Sequence, residues 1–240
     1  MATWVSPSHT GIAMPYRRTL VLLAVVAPFA AAADPPALKL SVAKTDPPAA
    51  VAKAVRAALD PAAVVVADAG GVTRLTLWFR ADIPSGATAD QVANGLTYRE
   101  LGEGTLVAVV KFDKPFTDFR KQDIPAGVYT LRTAVQPDIG DHKETAPHAD
   151  FGLLVPAAND TSLEPLEVKE LIPLSRKATG ADHPAVLLLF PHFGKDAEPK
   201  LVAKPGGVAV VQLRRRVTAG DKATTVGFGV AVAGVSGTRK

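Results

Sequence analysis

The stretch KQDIPAGVYTLRTAVQPDIGDHKETAPHADFGLLVP, residues 121–156, determines the architecture that the rest of the chain must fit. Its start predicts a turn, because Pro125 fixes its own φ angle and Gly127 has a permissive backbone. Residues 128–135 then alternate in polarity as a β-strand does, with successive side chains on opposite faces. Residues 151–155 predict the returning strand, so the stretch indicates an antiparallel pair.

The connection between these two strands, residues 136–149, is unusually long. It has 14 residues, and loops of this length in a compact domain usually have a function. It also contains His142 and His148, two of the five histidines in the chain. We therefore expect this loop to be part of any functional site.

The N-terminus has the pattern of a signal peptide. Arg17 and Arg18 precede an apolar run, TLVLLAVVAPFAAAA at 19–33, which ends in small residues suited to cleavage. The run is short for a membrane span and contains a proline. An uncleaved N-terminal anchor is the alternative, and the pattern leaves open the start codon (Met1 or Met14) and the export route (Sec or twin-arginine). We expect an exported protein, periplasmic or extracellular.

With residues 1–33 as the signal peptide, residues 34–240 are expected to form a single domain. Without the leader's two arginines the net charge falls from +4 to +2, which is too small and too dispersed an excess to indicate nucleic-acid binding. The chain has no cysteine, which excludes disulfides, thiolate catalysis and zinc–thiolate sites. No later apolar run is long enough to predict a membrane span after signal cleavage.

Short alternating or apolar segments dominate residues 34–240, and they do not alternate with long helices. The sequence therefore predicts a mainly β fold, an antiparallel β-sandwich of jelly-roll type with two or three short helices. The predicted strands are 38–43, 64–68, 72–80, 96–101, 105–112, 128–135, 151–155, 184–190, 200–203, 208–214 and 223–235. The predicted helices are 49–59, 88–94 and 174–178. Thr88 and Gln91 have the spacing of a capping box, with Gly95 after the end of that helix, and Pro173 is suited to the first position of the third helix.

Imidazole and carboxylate side chains, the usual ligands of zinc, calcium or manganese, are concentrated in the long loop and at nearby strand ends. Their spacing matches neither HExxH nor an EF-hand. A solvated loop without metal is the simpler alternative. The candidate ligands are Asp141, His142, His148, Asp150 and His183, together with Asp138, Glu144 and His192.

Three residues are candidates for contact with an organic ligand. Trp78 and Arg80 lie on one predicted strand, where an aromatic ring and a guanidinium can stack on a sugar or pair with a carboxylate. The structural alternative is that arginine covers the indole. Tyr129 follows the predicted turn; it either contacts a ligand or forms a tyrosine corner, in which the hydroxyl bonds to the preceding backbone.

Motifs for nucleophilic catalysis are missing from the sequence. It has no GxSxG elbow, no SxxK and no cysteine, and its paired glycines lie in predicted hairpin turns rather than in phosphate-binding loops. A hydrolase with two carboxylates remains open, because spacing in sequence does not reveal distance in space. The pattern favours a protein that is not an enzyme and needs no cofactor.

Three segments carry a family resemblance: IPAGVYTLR (124–132), GDHKETAPHADFGLLVPA (140–157) and ATGADHPAVLLLF (178–190). Through them the chain resembles an uncharacterised family of exported bacterial β-sandwich proteins of planctomycete type, which has no assigned activity to carry over. The IPAGxYxL turn is also similar to that of carboxypeptidase-regulatory-like domains. This second resemblance implies fold rather than function.

Together these observations predict a non-enzymatic binding or structural module of the cell envelope, with an envelope protein or a glycan as partner. Its contact surface would combine the 136–150 loop with the strand ends near His183 and His192. The alternative is a metal-dependent hydrolase or lyase, in which His142, His148 and a third ligand hold the ion and a coordinated water attacks the substrate.

Overall fold

The computed structural model describes residues 37–136 and 148–234. In these residues the chain is mainly β, with three short α-helices, as the sequence predicts. The strands are β1 (Leu38–Lys44), β2 (Ala62–Asp68), β3 (Thr73–Phe79), β4 (Ile83–Ser85), β5 (Leu106–Phe112), β6 (Phe116–Thr117), β7 (Asp123–Ile124), β8 (Gly127–Val135), β9 (Asp150–Pro156), β10 (Ala185–Pro191), β11 (Lys200–Lys204), β12 (Val208–Ala219) and β13 (Lys222–Ala233).

The helices are α1 (Lys53–Ala57), α2 (Ala89–Asn94) and α3 (Val168–Thr179), and 3₁₀ turns occupy Arg99–Leu101 and Ala157–Asn159. The predicted capping box of α2 is present, with the Thr88 and Gln91 side chains each bonded to the other's backbone. The predicted start of the third helix is wrong. Pro173 does not begin α3 but lies inside it, where its missing N–H leaves one carbonyl of the first turn without its helical partner.

Eleven strands form one curled sheet. Ten of them follow the order β1-β2-β3-β5-β8-β9-β10-β13-β12-β11, and β4 pairs with the far end of β12; β6 and β7 form a separate hairpin. Neighbours along the main path are antiparallel, and only the short β4–β12 pairing is parallel. The predicted antiparallel pair, β8 and β9, lies at the centre of the path.

Strand β10 joins the two halves of this sheet. Its first part, from Ala185 to Leu188, pairs with β9, and its last part, from Leu189 to Pro191, pairs with β13. A strand that changes partners in this way lets one sheet fold over on itself and act as both layers of a sandwich. The last four strands, in the order β10-β13-β12-β11, form a Greek key.

The two halves enclose a shared apolar core. Phe79 of β3 and Phe228 of β13 come from opposite halves, and their ring centroids lie 5.5 Å apart. Leu131 of β8 and Leu189 of β10 are fully buried in the same cluster. This contact between distant parts of the chain fixes the curvature of the sheet, and with it the positions of the strand ends.

A buried ion pair attaches the segment after β9 to the sheet. The guanidinium of Arg132, which is 0% exposed, binds Asp160 with two bonds, Nε–Oδ2 at 2.7 Å and Nη2–Oδ1 at 2.8 Å. Its remaining N–H groups donate to the carbonyls of Gly104, Ser162 and Glu164. Every donor of this arginine is therefore used inside the fold.

Among the described residues no helix is both long enough and apolar enough to cross a membrane.

Candidate functional site

A cavity of about 290 Å³ lies where the start of β9, the end of β10 and the middle of β13 meet. We call it the Asp150 pocket. It contains two of the residues singled out in the sequence, Asp150 and His192, together with aromatic, apolar and basic side chains. Its lining residues are Leu96, Thr97, Tyr98, Arg99, Asp150, Pro191, His192, Phe193 and Gly227.

One wall of the pocket is the segment 96–99, which the sequence predicted to be a strand. That prediction is wrong, since the chain forms a loop and a 3₁₀ turn there. The carboxylate of Glu100 accepts bonds from the backbone N–H and the hydroxyl of Thr97, each at 2.7 Å. The buried Tyr98 hydroxyl donates to the Phe190 carbonyl (2.8 Å) and accepts from the Gly229 amide (2.9 Å). This wall is therefore fastened to both β10 and β13.

Two glycines of β13 allow the end of β10 to approach closely. A Cβ atom at Gly227 would lie 1.8 Å from the carbonyl oxygen of His192, and one at Gly229 would lie 2.6 Å from that of Phe190. Neither distance is possible for a side chain, so these positions require glycine. Gly227 lines the pocket for this reason.

The far wall is the start of the β10–β11 connection. Nη1 of Arg214 donates to the carbonyl of Gly194 (3.0 Å), which holds this connection against β12. The imidazole of His192 lies over Gly194, where a Cβ atom would be only 2.6 Å from Cε1 of the ring. The next side chain, Phe193, is 78% exposed although it lines the pocket.

Asp150 is the carboxylate of the pocket, and its Oδ1 atom is buried without a hydrogen-bond donor among the described residues. Burial raises the pKa of this carboxyl above its ordinary value; the nearby Arg99 opposes the shift and Glu100 adds to it. A buried acceptor without a donor costs free energy unless a ligand or water supplies one. This oxygen is thus the clearest sign that the pocket is built to receive a donor.

The two histidines near Asp150 are uncharged at neutral pH. Burial lowers the pKa of His192, and the Arg214 guanidinium lowers it further. Burial likewise lowers the pKa of His148, with a smaller effect of Lys204. The His148 ring packs edge-on against Phe190, with the centroids 4.9 Å apart, so it flanks the pocket without lining it.

The structure does not bring His183 to this group. In the register of β9 and β10, Ala185 pairs with Leu154 and Leu188 with Phe151. His183 therefore lies at the opposite end of β10 from Asp150, about 20 Å away at the rise of a β-strand. The predicted contact surface that combined the ends of β10 is wrong in this respect.

Metal binding stays a prediction. Within residues 37–136 and 148–234 no three His, Asp or Glu side chains are placed to hold an ion. The predicted ligands Asp141 and His142, with Asp138 and Glu144, lie outside the described residues.

The predicted organic-ligand residues lie elsewhere and have structural partners. Trp78 is 3% exposed and its indole N–H donates to the Thr45 carbonyl (2.9 Å), while Arg80 donates to that of Leu163 (3.2 Å). Tyr129 donates to the carbonyl of Pro125 (2.8 Å), four residues earlier, which is the bond of a tyrosine corner. Ligand contact by these three residues stays a prediction.

A second cavity, of about 320 Å³, lies near the start of β1 and the end of β13. None of the predicted site residues lines it. Its carboxylate, Asp68, already accepts a bond from the Val72 amide (3.0 Å). We therefore place the candidate site in the Asp150 pocket.

Sequence reasoning missed Arg99 and Phe193 as parts of this site. Arg99 was hidden in the segment wrongly predicted as a strand. Phe193 carried a usable signal, because it is a lone aromatic residue between His192 and Gly194 in an otherwise polar connection.

Comparison with known proteins adds no relative: no family model, no curated protein and no solved structure matches this chain significantly.

Proposed function

We propose that this protein is an exported, non-enzymatic binding module of the cell envelope and that the Asp150 pocket with its rim is its contact surface. The observation that carries the proposal is the buried oxygen of Asp150, which has no donor among the described residues, in a cavity bordered by the exposed ring of Phe193. Small-ligand sites typically combine an apolar lining with a few placed polar groups. Export rests on the leader pattern at 19–33.

Binding rather than catalysis is supported by the sequence, which lacks the motifs of nucleophilic enzymes. The position of the pocket supports the proposal, since β9 begins with Asp150 directly after the long β8–β9 connection. Connections at one end of a rigid sheet are the usual location of recognition sites in β-sandwich folds.

The test is retention of the purified protein on insoluble cell-envelope material, measured by co-sedimentation. We expect the wild type to be retained and the Arg99→Ala, Phe193→Ala double variant to be released. The matched control is Arg176→Ala with Val72→Ala, which removes an exposed arginine and an exposed apolar side chain away from the pocket. Equal release of the two double variants, or no retention of the wild type, would contradict the proposal.

A further inference from the structure

The polar groups of the Asp150 pocket favour a ligand that donates a hydrogen bond. Oδ1 of Asp150 is buried and has no donor among the described residues, whereas Arg99 is exposed and, in the same part of the chain, donates only through its backbone N–H, to Thr97 Oγ1 (3.4 Å), so its guanidinium is left without an acceptor. A ligand that fills the pocket must therefore offer a donor to the first group and an acceptor to the second. Hydroxyl groups do both.

The charges around the pocket argue against a strongly charged ligand. Arg99 and Glu100 both act on Asp150, and His192 is acted on by three basic groups, Arg214, Lys200 and Lys204, and by one acidic group, Asp196. An anion would approach the Asp150 carboxylate, and a cation would approach the Arg99 guanidinium, so each would meet repulsion as well as attraction. The uncharged imidazole of His192 adds one further donor and one acceptor. This mixture suits a neutral polyhydroxyl compound.

Phe193 supplies the apolar part of such a site. Its ring is 78% exposed and lines the pocket, so its flat apolar face is available to pack against a ligand held there. The C–H face of a sugar ring is apolar and flat enough to pack on it, while the hydroxyl edge points towards Asp150 and Arg99. The volume of about 290 Å³ is at the small end of ligand pockets, which limits the contact to one ring.

From these three features we infer that the Asp150 pocket binds one neutral saccharide unit of a glycan. Asp150 accepts from a ring hydroxyl, Arg99 donates to a hydroxyl oxygen, and Phe193 packs against the ring. This inference rests on the proposed binding function and specifies its ligand.

The test uses the full chain, expressed with residues 1–33 and purified as the cell processes it. Saturation-transfer NMR is recorded with neutral glucose, galactose, mannose and N-acetylglucosamine, and with glucuronate and glucosamine, the anionic and cationic counterparts of glucose. We expect at least one neutral sugar to bind, and glucuronate and glucosamine to bind more weakly than that sugar. Binding confined to the charged sugars, or to none, would overturn the inference.

Three variants then separate this geometry from unspecific contact. Asp150→Asn keeps the shape of the side chain but loses the charge, and should weaken saccharide binding about tenfold to a hundredfold. Phe193→Leu remains apolar but loses the flat ring, and should weaken it roughly twofold to tenfold, whereas Phe193→Trp should preserve it. Unchanged affinity in both Asp150→Asn and Phe193→Leu would contradict the assignment.

The same protein samples are applied to cell-envelope material, so that failure of the inference and failure of the proposed function can be told apart. Retention on the envelope material without saccharide binding would refute the saccharide inference, but the proposed binding function would stand. Absence of retention and of saccharide binding would refute the proposed function and the saccharide inference together.

Discussion

Arg132 shows how a single buried side chain can hold an irregular segment in place. Asp160 binds its guanidinium with two bonds. The carbonyl of Gly104, just before β5, and those of Ser162 and Glu164, between β9 and α3, accept from the rest of its donors. Replacement of both partners of such a pair by apolar residues costs little stability, but removal of one partner leaves an uncompensated buried charge.

We therefore expect Arg132→Met to lower the free energy of unfolding by about 3–5 kcal/mol, measured by urea denaturation. The matched control is Lys200→Met, which breaks the exposed ion pair with Asp196 (2.6 Å) and should cause a much smaller loss, because solvent screens the exposed charges. A loss of unfolding free energy in Arg132→Met as small as that of the control would show that the buried pair does not hold the segment after β9 in place.

Asp150 should make the unliganded protein less stable as the pH rises. Burial raises its folded pKa above the ordinary value of 3.8, so above about pH 3.8 the folded chain keeps a proton that the unfolded chain has lost. Stability from this group therefore declines as the pH rises through the folded pKa, and stays lower beyond it.

Asp150→Asn removes this decline. We expect the variant to be more stable than the wild type at neutral pH and the two to converge below about pH 3.8, as measured by urea denaturation across the pH range. A variant that is less stable at neutral pH would mean that the carboxylate has a stabilising donor in the free protein.

Individual residues were predictable only where their partners are close in sequence. Tyr129 and Pro125 are four residues apart, and the sequence predicted a tyrosine corner as one of two interpretations of that turn. Arg132 and Asp160 are 28 residues apart, and an arginine in an alternating strand gives no sign that it will be buried. Asp150 and His192 were singled out for their chemistry, but their shared pocket depends on the pairing of β9 with β10.

Strand β10 and its neighbour β13 meet around the hydroxyl of Tyr98, which bonds to both of them. Phe190 and Gly229, the two residues that it joins, are also partners in the register of the strands. Removal of the hydroxyl would leave the buried N–H of Gly229 and the carbonyl of Phe190 without this hydrogen-bond partner.

Tyr98→Phe should accordingly lower the free energy of unfolding by about 1–3 kcal/mol, and increase hydrogen exchange at residues 189–191 and 228–230. Tyr129→Phe is the control, because its hydroxyl makes one bond within its own turn; we expect about 1 kcal/mol and no change in exchange at those residues. Increased exchange in both variants would contradict a specific role of Tyr98 at the β10–β13 junction.

Elements whose start and end are marked by residues within or next to them were predicted well. The capping box and the flanking glycine located α2, and the turn before β8 located that strand to within one residue. Residues 96–101 alternate in polarity but fold as a loop and a 3₁₀ turn, because Tyr98 is drawn into the core by partners more than 90 residues away. Tertiary contacts of that kind override a short alternating pattern.

Over the full chain, the sequence indicated the mainly β class but not the order of the strands. Most neighbours in the sheet are consecutive in the chain, and β3–β5 and β5–β8 skip only short strands, whereas β10 lies beside β13 and β4 beside β12. These two pairings curl the sheet, and they depend on contacts that no local pattern encodes.

Export is the prediction that concerns the complete chain. When the protein is expressed with residues 1–33, mass spectrometry of the exported fraction should find a chain that begins at Asp34. Arg17→Lys with Arg18→Lys tests the route, since a twin-arginine signal needs both arginines and a Sec signal needs only positive charge. Protein retained in the membrane with the leader attached would instead support the uncleaved anchor.

The change of partner along β10 has a practical consequence for engineering. The exposed turn at residues 180–183 separates the strands up to β9 from the Greek key of β10 to β13, and each piece alone would expose its half of the core. Division of the chain at this turn should give two fragments that fold only on meeting. Because Asp150 and His192 would lie on different fragments, reassembly would restore the pocket, and the pair would form a complementation reporter for its ligand.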